Sequence, residues 1–533
     1  MNIRSTDVRI DPAPSSTVEH HSVVIVGTGP TGMTAASLLG QYGVDCLVLD
    51  RWEDPFPQPR AVHLDDEIHR ILGDLGLTQE FRAISRPGRG LRLISRDMST
   101  LAEFGRDPRE MPHGFPCANM FDQPHLEALL RERMNRCDTV IFRGSCEVVD
   151  VANIQNHVRV DYTDRERGAT RSVTADYVLG CDGANSTVRA AMGSSMHELG
   201  FEQRWLVIDI ATTADLHQWD GVHQLCDTAR AGTYMRIGET RYRWEFRLLE
   251  HESASDYSTL EAIRPLIAPW IAAAPSADLE LIRSTEYTFR AQVVDRWRER
   301  RILLLGDAAH LTPPFIGQGL GAGLRDAKNL VWKLVAVQRG VQPESALDTY
   351  EQERKPHVTG LISLAITVGW AMTGGGSAGD FARKRLVPRL VRVPLLNTRM
   401  TDSATPRLPE SALIRRRRAA RRDHAGSLCP NTFVQGGIRL DDVAPDRTLF
   451  VTITPPSPGQ RREITRRGAV VVEVPRTSEL GSWLAHGRAI AAIVRPDRTV
   501  MAASRSVSSL YTLVPNTVPP HLSARPVRKS NGD

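Results

Sequence analysis

None of the seven cysteines pair as Cys-x-x-Cys, and their number is odd. A disulfide framework or a zinc site is therefore not expected, and no metal site is assigned. A reducing, cytoplasmic setting is expected instead. Long apolar runs are missing too. The longest, 361–372, is broken by Ser363, Thr367 and Gly369. It is shorter than the roughly 20 residues that span a bilayer, so it reads as a buried helix and no membrane partner is expected. Charge of one sign is scarce: 67 Lys and Arg against 62 Asp and Glu leave +5, which is too little to suggest a nucleic-acid partner. One basic run exists, Arg415, Arg416, Arg417 and Arg418 with Arg421 and Arg422. Standing between Pro409 and Pro430, it reads as a solvated linker. Residues 1–20 lack an apolar core and read as a polar leader rather than a signal peptide.

What is present is a long chain of ordinary composition. At 533 residues, 41% hydrophobic and 24% charged, it is expected to form two or three globular domains. Residues 22–26 read as a buried strand, followed by Gly27-Thr-Gly-Pro-Thr-Gly32, apolar residues at helical spacing, and a second strand ending in Asp50. This is a dinucleotide fingerprint in full context. Gly27 makes the turn, Gly29 lets a pyrophosphate approach, Gly32 allows close helix–strand packing, and Asp50 can accept from a ribose. The pattern recurs at Gly374-Gly-Gly-Ser-Ala-Gly379 without the flanking strands, and there it reads as a loop.

The densest stretch is 301–323. A short apolar strand, 302–305, ends in Gly306-Asp307. Pro313 and Pro314 follow, then glycines at 317, 319, 321 and 323, then a helix. Asp307 is thereby placed at the carboxyl end of a parallel strand, and the glycine-rich turn feeds a helix N-terminus able to stabilise an anion developing on a bound ring. Residues 177–189 repeat the pattern of strand, Asp182-Gly183 and helix.

Other segments are read more coarsely. A helix is expected over about 65–75, strands over 88–106, and a helix just after Gln123. Arg60, at the end of a proline-rich loop, is a candidate pyrophosphate clamp. Residues 200–290 read as an antiparallel sheet with strands at 205–211, 232–237, 242–249 and 281–290. Tyr234, Tyr242, Trp244 and Tyr287 are candidates to line an aromatic pocket there, the alternative being that they pack the lobe's own core. Helices are expected at 324–339 and 344–373. A small α/β unit without cysteine follows from 432.

These motifs resemble, in order and spacing, the class A flavoprotein aromatic hydroxylases, which have the para-hydroxybenzoate hydroxylase fold. Closer similarity is to the 3-(3-hydroxyphenyl)propionate hydroxylase group. It rests on Pro59-Arg-Ala-Val-His-Leu-Asp-Asp-Glu67, Gln224-Leu-Cys-Asp227, Arg243-Trp-Glu-Phe246, the 306–323 stretch and Val494-Arg-Pro-Asp-Arg498. The resemblance implies an α/β fold with three parts. A Rossmann-like FAD-binding domain spans 21–195 and 291–400, and an inserted antiparallel-sheet substrate domain spans 196–290. After a linker at 401–430, a thioredoxin-like domain without Cys-x-x-Cys spans 431–525. A homodimer is compatible with it.

The resemblance also implies that Gly27, Gly29, Gly32, Asp50 and Arg60 bind the ADP part of FAD, that Pro30, Thr31 and Arg51 also bind the cofactor, that Gln123 lies near it, and that Asp182 belongs to a motif serving both FAD and NAD(P)H. Gly306, Asp307, Pro313, Gly317, Gly319, Leu320 and Gly321 would serve the ribityl chain and the isoalloxazine. Two positions depart from the family: Asp50, where glutamate is commoner, and His63-Leu64, where a small pair is often found. The implied activity is hydroxylation of a phenolic ring with NAD(P)H and O2 through a flavin C4a-hydroperoxide. A tailoring hydroxylase of polycyclic aromatic natural products is the alternative. A flavin halogenase would need Trp-x-Trp-x-Ile-Pro, which is absent. The oxygen delivered is electrophilic, so the substrate reacts best as its phenolate. With a phenol pKa near 10, the site needs a base or a field. His63, Tyr234, Tyr242 and Trp244 are the substrate-side candidates, the catalytic base is left unassigned, and His310 is expected to pack behind the cofactor.

Overall fold

The computed structural model describes residues 18–55, 61–271, 278–374, 405–417, 422–434 and 436–517, with Gly376, Gly379 and Arg385. The strand Glu19–Val26 lies inside an eight-stranded sheet. Val23, Val24 and Ile25 are all fully buried, as expected of a parallel strand covered on both faces. Its parallel neighbours are Ala169–Gly180 and Cys46–Leu49, with Ile302–Leu304 and Val140–Arg143 beyond them. Val26 pairs with both Gly180 and Leu49, and Gly180 pairs with Leu304. Four strands therefore end level at one edge. Gly27, Asp50, Asp182 and Asp307 all leave from it, the edge at which open parallel sheets receive ligands.

A second eight-stranded sheet is built on the long pair Met196–Ala211 and Glu280–Val294. It continues through Arg241–Arg247, Gly232–Arg236 and Val222–Leu225. It then takes in Gly90–Ile94 and Thr100–Gly105, the first of these as its one parallel pairing. The two added strands come from within the first lobe's stretch of sequence, so this sheet is not confined to 196–290. One face carries Ile208, Tyr234, Tyr242, Trp244 and Phe246, packed with Ile263, Ile267 and Trp270 of the helix Leu260–Ile271.

The C-terminal unit is a four-stranded sheet ordered Val470–Glu473, Leu449–Thr452, Ala491–Val494, Val500–Ser504. The first pair is parallel and the others antiparallel. Buried charges join it to the first lobe. Arg70 donates to Asp441 at 2.6 Å, and Lys328 to Asp446 at 2.9 Å. Burial pushes the Asp441 carboxyl up, but Arg70 and Arg498 outweigh it and bring it down to about 2. Deeper still, Glu353 accepts from Lys333 at 2.9 Å and from Arg495 at 2.8 and 3.0 Å. All three of these side chains are 0% exposed.

Two expectations change here. The linker is only partly free in solvent: Arg415, Arg416 and Arg422 of the basic run are exposed, but the segment is anchored. Leu413 and Ile414 are buried, Ser411 Oγ donates to Glu353 at 2.7 Å, and Arg417 binds the Arg488 carbonyl at 2.8 Å. Arg418 and Arg421 lie outside the described residues. The run 361–372 belongs to the helix Asp348–Thr373 but is buried on one side only: Leu364 is 50% and Trp370 71% exposed. Its apolar content hid a helical periodicity. No helix among the described residues is long and apolar enough to cross a membrane.

Candidate active site

One cleft of about 1060 Å3 runs from the carboxyl edge of the first sheet to the second sheet. At its first end Gly27 adopts φ +103°, and a Cβ there would strike the Cys181 backbone. A Cβ on Gly32 would strike the Gly27 carbonyl, whereas one on Gly29 would meet no protein atom within 4 Å. The turn is thus closed behind and open toward the cleft. The helix Pro30–Gln41 starts there with no side-chain cap on its first N–H groups. Asp50 accepts from Thr28 N–H at 2.6 Å, Thr28 Oγ1 at 2.7 Å and Trp52 N–H at 2.9 Å. It therefore ties the turn to the second strand while still lining the cleft.

A second helix, Gly319–Gln338, also opens on the cleft without a side-chain cap. Two buried polar clusters fix its approach. Asp326 accepts from Gly306 N–H at 3.1 Å and Arg354 Nε at 2.8 Å, and His310 Nε2 lies 2.7 Å away. This holds the turn that brings Asp307 to the cleft and leaves His310 behind it. Asp65 caps the helix Asp66–Asp74, accepting from Ile68 N–H at 3.0 Å, and takes Gln318 Nε2 at 3.0 Å and the Arg325 guanidinium. Uncapped N–H groups, a glycine without a Cβ neighbour and strand-end carboxylates suit a dinucleotide carrying a pyrophosphate and a reducible ring.

Gly27, Gly29, Pro30, Thr31, Asp50, Arg51, Gln123, Asp182, Asp307, Gly317, Gly319 and Leu320 line the cleft. Gly32, Gly306 and Gly321 stand behind that lining. Pro313 is buried, and Pro314 is the proline that faces inward. Gln123 Oε1 accepts from Ala61 N–H at 2.6 Å, which positions the loop before His63. Asp182 accepts from Ser186 Oγ at 2.5 Å and Val188 N–H at 3.1 Å. Burial raises its carboxyl's pKa against these bonds. Arg60 lies outside the described residues.

At the far end the aromatic candidates divide. Tyr287 lines the cleft, but Tyr234, Tyr242 and Trp244 pack in the lobe's own core. The reason is the strand's period of two. In Arg241–Arg247 the apolar positions 242, 244 and 246 face the helix, so Glu245 faces the cleft; next door Thr233 and Met235 do the same. Gln224, Thr233 and Glu245 are cross-strand neighbours in one row. Gln224 and Glu245 sit inside the motifs already quoted, and the alternation in 241–247 was the signal that could have found this face.

His63 lines the cleft beside Gly317. Burial, aided by the Arg106 guanidinium, brings its imidazole down to about 4. Two wholly interior histidines, His69 and His223, are likewise held at about 4, chiefly by burial. Their folded pKa values lie below the unfolded value of about 6.5. Between these limits the unfolded chain binds protons that the native one refuses. Stability is then expected to fall as pH drops from about 6.5 to 4, by up to about 1.4 kcal/mol per pH unit for each histidine. A melting temperature unchanged between pH 7 and pH 5 would contradict this assignment.

A level strand edge, a closed glycine turn and two uncapped helices on one cleft define a dinucleotide-binding flavoprotein. The FAD binding domain family matches residues 20–365. The chain belongs to that family, as a FAD-dependent aromatic hydroxylase of the flavoprotein monooxygenase type. It is 33% identical over 511 residues to a probable NADH-specific resorcinol 4-hydroxylase of Rhodococcus jostii, covering 93% of this chain and 94% of the relative. It is 35% identical over 368 residues to a 3-(3-hydroxy-phenyl)propionate/3-hydroxycinnamic acid hydroxylase of Burkholderia vietnamiensis, covering 69% and 66%. Among solved structures, the flavin-dependent monooxygenase PieE in complex with FAD and substrate aligns with TM-score 0.78 at 22% identity, covering 94% of this chain and 99% of that one. The rebeccamycin biosynthetic enzyme RebC aligns with TM-score 0.74 at 21% identity, covering 93% and 99%. At these identities the structural matches speak for the fold.

Proposed function

We propose that the protein hydroxylates a phenolic ring with NAD(P)H and O2, taking a small hydroxyarene of the kind named for its relatives. The observation that carries this reading is the continuous cleft joining the glycine turn to the row Gln224, Thr233 and Glu245. Bound FAD supplies an electrophilic oxygen once reduced by the nicotinamide and exposed to O2. The chain's own groups do the rest. The Pro30–Gln41 N-terminus and Gly29 receive the pyrophosphate, Asp50 the ribose and Asp307 the ribityl chain. The Gly319–Gln338 N-terminus supports negative charge on the ring. Tyr287, Phe289, Phe315 and Met235 wall the far end and keep water from it.

The division into an FAD-binding part, a substrate lobe and a thioredoxin-like C-terminal unit is part of the same proposal. For the last, the strand order second-first-third-fourth with one parallel pair is the support. Lacking Cys-x-x-Cys, that unit would serve structure rather than thiol exchange.

The test is oxygen and NAD(P)H consumption by the purified yellow protein with resorcinol and with 3-(3-hydroxyphenyl)propionate. A phenol-stimulated rate with a hydroxylated product is expected, and Asp307→Ala should lower both FAD content and rate about 10-fold or more, the weight of a lost charged hydrogen bond. Failure to bind FAD would sink the reading. FAD binding without stimulation by either phenol would move the substrate to bulkier polycyclic phenols.

A further inference from the structure

The least explained side chain in the cleft is Glu245. It is 7% exposed, faces the cavity, and its carboxylate enters no hydrogen bond among the described residues. A buried polar group without a partner is costly, and a carboxylate more so, unless a ligand completes it. Both neighbouring cations bond Asp209, and neither hydrogen-bonds Glu245. Arg243, on the same strand, donates to Asp209 at 2.6 and 2.9 Å, and Arg283, from Glu280–Val294, donates to Asp209 at 2.6 Å. Across the row, Thr233 Oγ1 donates to Gln224 Oε1 at 3.2 Å and Gln224 Nε2 to the Gly232 carbonyl at 2.9 Å. These amide and hydroxyl donors are therefore directed away from Glu245.

We propose that Glu245 accepts the substrate's phenolic O–H and acts as its base. This rests on the hydroxylase reading above. As the ring is attacked, the phenolic O–H bond breaks and the proton passes to a Glu245 carboxylate oxygen. The electron pair stays on the substrate oxygen and feeds the ring. The same geometry sets a preference: the group presented to this row is a hydroxyl, since a carboxylate would meet Glu245 as a like charge. Burial raises the Glu245 pKa, opposed by Arg243 and Arg283 and reinforced by Asp209, which brings it nearer to that of a useful general base.

The test compares FAD-loaded wild type with Glu245→Gln. Dissociation constants for resorcinol and 1,3-dimethoxybenzene are read from the flavin absorbance, and the pH dependence of kcat/KM is read with resorcinol. Glu245→Gln should weaken resorcinol about 10- to 100-fold, the weight of a hydrogen bond to a charged group, and leave dimethoxybenzene unchanged. It should also abolish the fall in kcat/KM on the acid side. Glu245→Asp, which keeps the charge, should retain that limb if the glutamine variant does not fold. Equal losses for both ligands, or an unchanged pH profile in Glu245→Gln, would overturn the proposal while leaving the hydroxylase reading standing. A wild type that binds FAD but neither arene would overturn both this proposal for a small phenol and the small-hydroxyarene reading above.

Discussion

Glu353→Ala is expected to destabilise the protein by about 3–5 kcal/mol, the usual cost of removing one partner from a buried ion pair. Glu353 answers two cations, Lys333 and Arg495, with all three side chains 0% exposed. Burial already brings the Lys333 ammonium down to about 8 in spite of Glu353. Without the carboxylate Lys333 would shed its proton, and Arg495, which cannot, would keep only Asp497. Because Lys333 and Glu353 belong to the first lobe and Arg495 to the turn after the C-terminal strand Ala491–Val494, the loss should appear as one lowered unfolding transition covering both. Urea unfolding followed by fluorescence and by flavin release would show it. A combined Glu353→Leu, Lys333→Met, Arg495→Met, Asp497→Asn variant should recover much of the loss, since well-packed apolar groups often replace buried ionic ones and Asp497 would otherwise be left without its cation. A Glu353→Ala protein as stable as wild type would mean that water reaches the cluster.

Gly32→Ala is expected to give a protein that loads FAD at least 100-fold more weakly. The new methyl would lie against the Gly27 carbonyl. To relieve it, the helix Pro30–Gln41 must move off the strand Glu19–Val26 or the Gly27 turn must open, and either displaces the N–H groups that receive the pyrophosphate. Gly29→Ala separates this from direct blocking. Its Cβ meets no protein atom within 4 Å, so that variant should melt like the unloaded wild type and still fail to bind FAD. Equal FAD content in wild type and Gly32→Ala would show that the turn has slack absent from the structure.

The dinucleotide turn was legible because its evidence is local. A buried strand, three spaced glycines, a helix and a strand-end acid lie within 30 residues. The same holds for the helix Asp66–Asp74. What stayed hidden depends on distant partners. Gly90–Ile94 and Thr100–Gly105 read correctly as strands, yet nothing in them says that they pair with Val222–Leu225, some 130 residues on. Arg70 and Asp441 are unremarkable in the sequence until the fold buries them against each other. Tyr234, Tyr242 and Trp244 were left between two readings for a different reason, and the core reading is the one the fold takes. Aromatic side chains suit a ring pocket and a core equally well, and only the helix Leu260–Ile271 decides which face is which.

That division of faces bears on how such a protein can diversify. Residues 233, 235 and 245 meet the substrate side, while 234, 242 and 244 are locked against a helix. Along these strands, adjacent codons are therefore subject to different selection. Changes at 224, 233 and 235 can retune which arenes are accepted at little risk to folding. Changes at 234, 242 and 244 are filtered for packing before any substrate is met. A randomised library restricted to 224, 233 and 235 should return mostly folded, FAD-loaded proteins with altered preference, and one at 234, 242 and 244 mostly insoluble chains.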